Sequence, residues 1–346
     1  MTGYRVAVVS PLSPFGQRIR ALLDRSDPQP LPVMELKLFD GRPNAGSTLT
    51  QFEDEVLVTQ GLDADLFPFL DVIYVAEETS PEVLTQVATA ADRGVLTLVA
   101  GGQVAAPVAA VGLNDRFLPA GARLVGLPSA ASILLGKVLE PLGAAFEVER
   151  SLATVMLPAS ELGEHAVEEL HQQVVRLLNF GAPPTDAIGN QLAFNLLAPA
   201  DKAGRMSRSR PELAVAKDAG ELAGLEEGRL SVFLTLAPVF HGFGVSLWVQ
   251  LAEQPSVEAV VAALAKRADV DASHALEPHD ASSPVVSPVG VAGSKQVHVG
   301  RVLPDGSRSR GFWLWLAADS VAVDSAQNAL ELSTKLLRAG KSPSRP

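Results

Sequence analysis

The chain has 346 residues, a formal net charge of −11 and no cysteine. A hydrophobic content of 47% is typical of a globular protein, and the length allows two domains with separate cores. The acidic balance argues against a nucleic-acid or membrane partner, and the missing cysteines exclude disulfides and thiolate chemistry. No apolar run reaches the roughly 20 residues of a membrane span, and the N-terminus has no signal-peptide pattern. We therefore expect a cytoplasmic protein.

The first 130 residues alternate short apolar runs with helical stretches. Strands are predicted at residues 4–9, 36–40, 71–76 and 95–100, and helices at 16–24 and from Pro81 onward. Ser80 is a predicted N-cap for the second helix, with Pro81 in the first turn. Continuous apolar strands separated by helices indicate a doubly wound parallel sheet of the nucleotide-binding type.

From about residue 131 the pattern changes. Helices are predicted at residues 131–143, 160–178, 256–267 and 322–338, and strands at 146–152, 231–236, 245–251, 297–302 and 312–316. The apolar stripe of the second of these helices consists of Leu162, Val167, Leu170, Val174 and Leu177. Alternating strands predict a mixed or antiparallel sheet that is open on one face and available for a partner.

One segment has the layout of a nucleophile site. A strand ending at Leu127 is followed by Pro128, small residues and a helix, which would present a nucleophile at a helix N-terminus. The segment resembles the aspartate-semialdehyde dehydrogenase family, whose motif is N-P-N-C-(S/T)-T-I-Q followed by L-x-P-L. The residues that keep this register are Pro128, Ile133, Leu139, Pro141 and Leu142. In this register Ala130 stands at the position of the family's nucleophilic cysteine.

Further fragments resemble the same family in the same order. Residues 166–170 are similar to G-V-E-E-L, 194–197 to F-N-(V/L)-I, 299–301 to V-G-R and 315–319 to W-V-V-A-D. Their order from residue 4 to about 335 identifies the chain as a member. The resemblance implies a Rossmann-like dinucleotide-binding domain at 1–130, completed by a C-terminal helix at 318–340. It also implies a central α+β catalytic-type domain at 131–317 whose sheet forms a homodimer.

The expected nucleotide loop departs from the family pattern. The family has G-x-T-G-x-x-G after the first strand, whereas residues 10–16 are S-P-L-S-P-F-G. Gly16 is retained, but Pro11 and Pro14 each remove an amide donor for phosphate. Ser13 remains able to hydrogen-bond a phosphate, and a simple strand-to-helix turn is the alternative.

Three other residues bear on a cofactor. Asp40 lies where a carboxylate binds the ribose in NAD-binding folds. Arg42, followed by residues 45–47, resembles a family segment whose arginine supports the 2′-phosphate of NADP. Asn328 matches the asparagine of the family's x-N-A-x-Q. The resemblance thus gives Ser13, Gly16, Arg42 and Asn328 as candidate cofactor-binding residues, for NADP with weakened affinity.

The catalytic positions of the family also differ. With Pro238, Val239 and Gly242 kept in register, Phe243 stands at the position of the catalytic histidine. His241 would lie two residues earlier on the same strand face, either with a shifted role or as an ordinary strand histidine. Ser129 and Ser132 flank Ala130, but a serine needs an adjacent base.

The family's substrate-anchoring residues are replaced as well. Its arginine falls on Leu236, and its E-T-x-K motif runs from Asp218 to Glu221, so a lysine becomes a glutamate. We therefore expect no catalytic residue of the family type.

Two charged groups have simpler explanations than ligand binding. His165, Glu168 and His171 share a predicted helix, but His171 points about 120° away from His165, so a solvated face is expected and no metal site. Arg205, Arg208 and Arg210 form a basic patch that could meet an anionic ligand or lie in an exposed loop.

Three functions remain open. The first is a family homologue without dehydrogenase activity, similar to the Usg-type paralogues, which acts by binding to itself or to an active relative. The alternative is an NAD(P)-dependent oxidoreductase of amino-acid biosynthesis that uses non-standard residues. The third is a ligand sensor that binds without turnover.

Overall fold

The computed structural model describes residues 3–24, 31–42, 48–52, 55–77, 79–199, 211–276, 285–306 and 310–340. Within these ranges the helices are α1 (Pro14–Leu23), α2 (Pro81–Asp92), α3 (Ala130–Phe146), α4 (Glu164–Leu178), α5 (Pro211–Ala223), α6 (Val257–Leu264) and α7 (Ser325–Gly340). The strands are β1 (Tyr4–Val9), β2 (Val33–Phe39), β3 (Thr48–Phe52), β4 (Glu55–Thr59), β5 (Val72–Val75), β6 (Leu96–Ala100), β7 (Leu124–Leu127), β8 (Val148–Leu157), β9 (Leu230–Leu236), β10 (Phe243–Leu251), β11 (Val270–Asp271), β12 (Val297–Pro304) and β13 (Gly311–Ala318).

The chain divides into two compact units. The first comprises Met1–Ser129 with Ser325–Pro346, and the second comprises Ala130–Asp324. The first boundary therefore falls between Ser129 and Ala130. None of the helices in the described ranges combines the length and the hydropathy needed to cross a bilayer.

The first unit contains a parallel sheet covered on both faces. In the described residues its strand order is β2-β1-β5-β6-β7, and all neighbours run parallel. Val6 and Val8 enter one apolar cluster with residues of α1 and α7, whereas Ala7 and Val9 enter a second cluster with residues of α2. This alternation explains the continuous apolar strands and confirms the predicted doubly wound fold. The antiparallel hairpin of β3 and β4 was not predicted.

The helix starts in this unit follow from local chemistry. The Oγ of Ser80 accepts a hydrogen bond from the Val83 amide, and Pro81 occupies the first turn of α2. Ser13 caps α1 in the same way through the Gly16 amide. Each cap satisfies an amide that the first helical turn leaves without an intrahelical partner.

The second unit is built on the expected mixed sheet. Its strand order in the described residues is β11-β12-β13-β10-β8-β9, with parallel pairs at the two ends and antiparallel pairs between them. Along β8, Ala153 and Val155 are buried, whereas Leu152 on the opposite face is exposed. α3 packs against α5 and α6.

The apolar stripe predicted for the helix at 160–178 is wrong in its first residue, Leu162. The helix α4 begins at Glu164, because Gly163 adopts a φ of 96° and separates it from a short 3-10 turn at Ala159–Leu162. Leu162 therefore lies outside α4, with 47% of its surface exposed. The remaining members, Val167, Leu170, Val174 and Leu177, do pack together in one apolar cluster.

Candidate functional site

The turn that follows β1 keeps a glycine-like backbone without the glycine. Ser10 has a φ of 57°, in the left-handed region that glycine favours. Its amide donates to the Phe39 carbonyl at 2.9 Å, and its Oγ lies 3.0 Å from Thr79 Oγ1. The backbone at Ser10 thus has a conformation typical of glycine, although serine replaces the first glycine of the family motif.

Several amides of this turn already donate to groups within the protein. The Ser13 amide donates to the Ser10 carbonyl at 3.2 Å, and the Gln17 amide to the Ser13 carbonyl at 2.9 Å. The Gly16 amide donates to Ser13 Oγ at 3.1 Å, so the buried hydroxyl of Ser13 serves as a helix cap. Pro11 and Pro14 offer no amide hydrogen at all. A pyrophosphate at this helix N-terminus would have to displace these bonds.

Gly16 has a packing role. A Cβ at this position would lie 2.3 Å from the Ser10 carbonyl oxygen and 2.8 Å from Pro11 Cα. These are backbone atoms, which do not move away as the end of a flexible side chain would. The close approach of α1 to the turn therefore requires a residue without a side chain at position 16.

Asp40 and Arg42 bind each other. Arg42 Nε donates to Asp40 Oδ1 at 2.9 Å, and Arg42 Nη2 donates to Oδ2 at 2.6 Å. These hydrogen bonds hold the pKa of Asp40 below its ordinary value. A ribose or a 2′-phosphate would compete with this bidentate pair, and the role of Arg42 toward a cofactor stays a prediction. Residues 45–47 lie outside the described ranges.

Asn328 holds a loop of the first unit. Its Oδ1 accepts a hydrogen bond from the Val111 amide at 2.8 Å, and its Nδ2 donates to the Ala109 carbonyl at 3.0 Å. The side chain is buried, and both ends of its amide contact the backbone. These bonds explain the asparagine structurally, and its role toward a cofactor stays a prediction.

The segment around Ala130 has the predicted strand–proline–helix geometry. β7 ends at Leu127, and α3 begins at Ala130 itself. Ala130 is buried, with 9% of its residue surface exposed, and Ser132 is fully buried. A helix N-terminus stabilises an anion, but alanine offers no atom that can carry the charge.

Phe243 is a core residue of the second unit. It is the first residue of β10, lies opposite Ala318 of β13 and is fully buried. The expected position of His241 on the same strand face is wrong. Gly242 adopts a φ of 82°, so the strand begins after the histidine, whose side chain is exposed.

The anchoring positions do not suit an anion. Leu236 is buried in an apolar cluster at the end of β9. Asp218 of α5 is buried as well, and burial, with the negative charge of Glu221, raises its pKa to about 6. Neither residue offers the positive charge that a phosphate or carboxylate requires.

Outside these positions, the charged groups that the structure describes form no metal centre. His165, Glu168 and His171 are exposed on α4, and in the described ranges no group of three or more His, Asp or Glu side chains is arranged to hold a metal ion. Arg205, Arg208 and Arg210 lie outside those ranges.

One cluster was not recognised from the sequence. The side chains of Ser294 and Asp271 each contact His298 in the second unit. The Ser-x-x-x-His spacing is a weak local signal, and Asp271 lies too far along the chain for any pattern to join it to them.

Known proteins resemble the chain over nearly its full length. The model described as "Semialdehyde dehydrogenase, dimerisation domain" matches residues 139–323. A USG-1 protein homolog from Pseudomonas aeruginosa is 30% identical over 341 residues, 96% of this chain and 97% of the relative. One from Azotobacter vinelandii is 28% identical over 345 residues, 97% of this chain and 98% of the relative. The structure of a probable aspartate-semialdehyde dehydrogenase from Pseudomonas aeruginosa has a TM-score of 0.76 at 26% identity, covering 97% of this chain and 99% of that chain.

Proposed function

Because the chain belongs to the aspartate-semialdehyde dehydrogenase family, we propose that it is a member without dehydrogenase activity that acts by binding through its mixed sheet. The observation that carries the proposal is Ala130, the first residue of α3, at the position of the family's cysteine. The family's chemistry needs a thiolate to attack a carbonyl carbon. A buried methyl group has no electron pair for that step.

The replacement of the family's base and of its substrate-anchoring residues supports the same proposal. Phe243, at the position of the base, is a fully buried phenyl ring that neither accepts nor donates a proton. Leu236 and Glu221 stand where the family has an arginine and a lysine for the substrate. A shifted register would explain one such loss, whereas these residues lie on three different elements of the second unit.

The nucleotide turn supports weakened cofactor binding. A dinucleotide would meet Ser13, Gly16, Arg42 and Asn328, and such a cofactor would supply hydride transfer. The amides of Gly16 and Gln17 are engaged in capping α1, and the Arg42 guanidinium is engaged with Asp40. These residues do not fit a tightly held pyrophosphate, so we propose that NADP binds weakly at most.

Exposed side chains on one face of the mixed sheet support a homodimer. Trp248 of β10 lies opposite Leu152 of β8 on one side and Trp313 of β13 on the other. Leu152, Trp313 and nearby Phe233 are 41%, 44% and 55% exposed. Aromatic and aliphatic side chains grouped on one face mark an interaction surface, and the matching family domain is described as a dimerisation domain. We propose that a second copy covers this face in the cytoplasm, with an active family member as a further partner.

Replacing Leu152 with glutamate is expected to dissociate this dimer. A carboxylate in an apolar interface loses its hydration without gaining a partner, which weakens the dimer by about 3 kcal/mol, or about 100-fold in dissociation constant. Light scattering on a size-exclusion column should give twice the 36.3 kDa of one chain for the wild type and one chain for the variant.

Phe117→Glu provides the matched control. Phe117 is an exposed aromatic residue of the first unit, beside the guanidinium of Arg116. This variant should keep the wild-type mass. A monomeric wild type, or a dimeric Leu152→Glu protein at micromolar concentration, would contradict the proposed interface.

One observation favours the alternative function. Asp218, with a pKa of about 6, is a buried carboxyl group that can exchange a proton near neutral pH. An NAD(P)-dependent oxidoreductase of amino-acid biosynthesis could use it as a non-standard base. Measurable NADPH formation by the wild-type protein would favour this alternative over a homologue without dehydrogenase activity.

A further inference from the structure

The edge of the mixed sheet brings together residues that the family chemistry does not use. β11 pairs in parallel with β12, and this pairing sets Asp271 directly opposite His298. Ser294 lies in the turn that leads into β12. Two strands and a turn of one unit therefore fix the relative positions of a carboxylate, an imidazole and a hydroxyl.

Each nitrogen of the His298 ring contacts a different partner. Nε2 lies 2.7 Å from Ser294 Oγ, and Nδ1 lies 3.2 Å from Asp271 Oδ2. A carboxylate beside Nδ1 favours the tautomer with the proton on that nitrogen, which leaves Nε2 as the acceptor. The hydroxyl of Ser294 then donates to Nε2.

The backbone reinforces this direction of proton donation. The Gln296 amide donates to Ser294 Oγ at 3.2 Å, so the oxygen accepts one hydrogen bond and has its own hydrogen left for the imidazole. On the other side, the Ser273 amide donates to Asp271 Oδ1 at 2.9 Å and keeps the carboxylate in place. The hydroxyl of Ser294 thus donates to His298, and His298 donates to Asp271.

The groups around Asp271 favour its ionised form. Burial alone would raise the pKa of Asp271, but hydrogen bonds from Ser273 and the electrostatic effect of the neighbouring His298 and His274 rings bring it below its ordinary value. The side chains of His298 and Asp271 are 16% and 23% exposed. Ser294 is half-buried between the exposed residues Gly293 and Lys295. The base is sheltered, and a small molecule can approach the hydroxyl from solvent.

We propose that Ser294, His298 and Asp271 form a hydrolytic site for short-chain carboxylic esters. Ser294 Oγ attacks the ester carbonyl carbon while its proton moves to His298 Nε2. The carbon–oxygen bond to the alcohol breaks, and the imidazolium returns the proton to the departing alcohol. Water then attacks the acyl-serine while His298 Nε2 takes one of its protons. The bond between the acyl carbon and Ser294 Oγ breaks, the imidazolium returns the proton to Oγ, and the carboxylic acid is released.

Two further features fit this reaction. Lys295, which follows Ser294 in the chain and is exposed, carries a backbone N–H and an ammonium group that can stabilise the oxyanion formed during attack. The 3.2 Å contact to Asp271 is longer than a charged hydrogen bond, as is common for catalytic groups before substrate binds. Neither feature depends on the absent dehydrogenase chemistry, so this site stands apart from the proposed function.

Labelling of the full-length wild-type protein tests the proposal. A fluorophosphonate probe should phosphonylate the protein at Ser294, as mapped by tandem mass spectrometry, and p-nitrophenyl acetate should be hydrolysed. Ser294→Ala should abolish labelling at that position, and Ser294→Ala and His298→Gln should each lower hydrolysis by about 100-fold or more. Asp271→Asn should lower kcat while leaving KM unchanged, because the carboxylate orients the base without touching the ester.

His241→Gln is the control, since His241 is an exposed imidazole outside this cluster, and it should leave labelling and hydrolysis unchanged. The proposal is overturned if the wild-type protein carries no phosphonyl group on Ser294. It is overturned equally if Ser294→Ala hydrolyses the ester at the wild-type rate. Labelling of the wild type needs no variant, so it stays informative even if a substitution impairs folding.

Discussion

Replacing Ala130 with cysteine is expected to create a reactive thiol without restoring dehydrogenase turnover. The new side chain would stand at the first position of α3, where the helix dipole lowers a thiol pKa and raises its reactivity at neutral pH. Turnover would still lack the general base, because Phe243 is fully buried and its phenyl ring has no group that can accept or donate a proton. Loss of a general acid–base alone costs about 100- to 10,000-fold in rate.

The test combines alkylation with an activity assay. The natural chain has no cysteine, so iodoacetamide labelling reports on the introduced thiol alone. Ala120→Cys, in an exposed turn of the first unit, supplies the reference thiol. We expect alkylation of Ala130→Cys to reach half of its maximal rate at a lower pH than alkylation of Ala120→Cys, because the helix dipole favours the thiolate, and we expect Ala130→Cys to form no NADPH. Phosphate-dependent NADPH formation by Ala130→Cys would show that one residue, and not a whole site, had been lost.

Replacing Gly16 with alanine is expected to destabilise the first unit strongly. The added Cβ would lie 2.3 Å from the Ser10 carbonyl oxygen and less than 3 Å from Pro11. Relief requires a shift of α1 away from the turn, which disturbs the packing of Phe15 and Ile19 in the core. We expect a loss of about 3 kcal/mol in the free energy of unfolding, measured by urea denaturation.

Gly220→Ala is the matched control for this prediction. Gly220 lies within α5, and an added Cβ meets no atom within 4 Å. Alanine is favoured over glycine in a helix by up to about 1 kcal/mol, so this variant should be neutral or more stable than the wild type. Equal stabilities of the two variants would show that α1 does not pack tightly on the turn.

The helix α3, which begins at Ala130, has a structural role that does not depend on a catalytic residue. Its buried residues Leu134, Leu139 and Leu142 belong to the core of the second unit, and the helix packs against α5 and α6. Lys137 Nζ donates to the Ala322 carbonyl at 2.7 Å and lies 3.2 Å from Asp269 Oδ2. The fold needs this helix whether or not a nucleophile stands at its start.

Much of the fold was predictable because it depends on local signals. Apolar runs such as 72–75 are buried on both faces, which only a covered parallel strand allows. The Ser80–Pro81 pair marked the start of α2 through a cap that acts within one helical turn. The β3–β4 hairpin was missed because its sequence lacks the Asn-Gly or Asp-Gly signal of a tight turn.

The candidate site was predictable from the sequence only where the type of residue alone excludes a function. Ala130 and Phe243 lack ionisable groups in any conformation, so their replacement was evident from the sequence and its resemblance to the family. The pairing of Asp40 with Arg42 depends on the bend between them, and the exposure of His241 depends on the backbone of Gly242. The contact of Asp271 with His298 arises from strand pairing, which no local pattern encodes.

The most direct test of the central claim is a turnover assay on the wild-type protein. Aspartate semialdehyde, phosphate and NADP are incubated with the purified protein, with an active member of the family as positive control. NADPH formation is followed by absorbance. We expect no formation above the protein-free rate, because the residues at the positions of the nucleophile, the base and the anchoring charges are all replaced. Phosphate-dependent NADPH formation that scales with the concentration of this protein would contradict it.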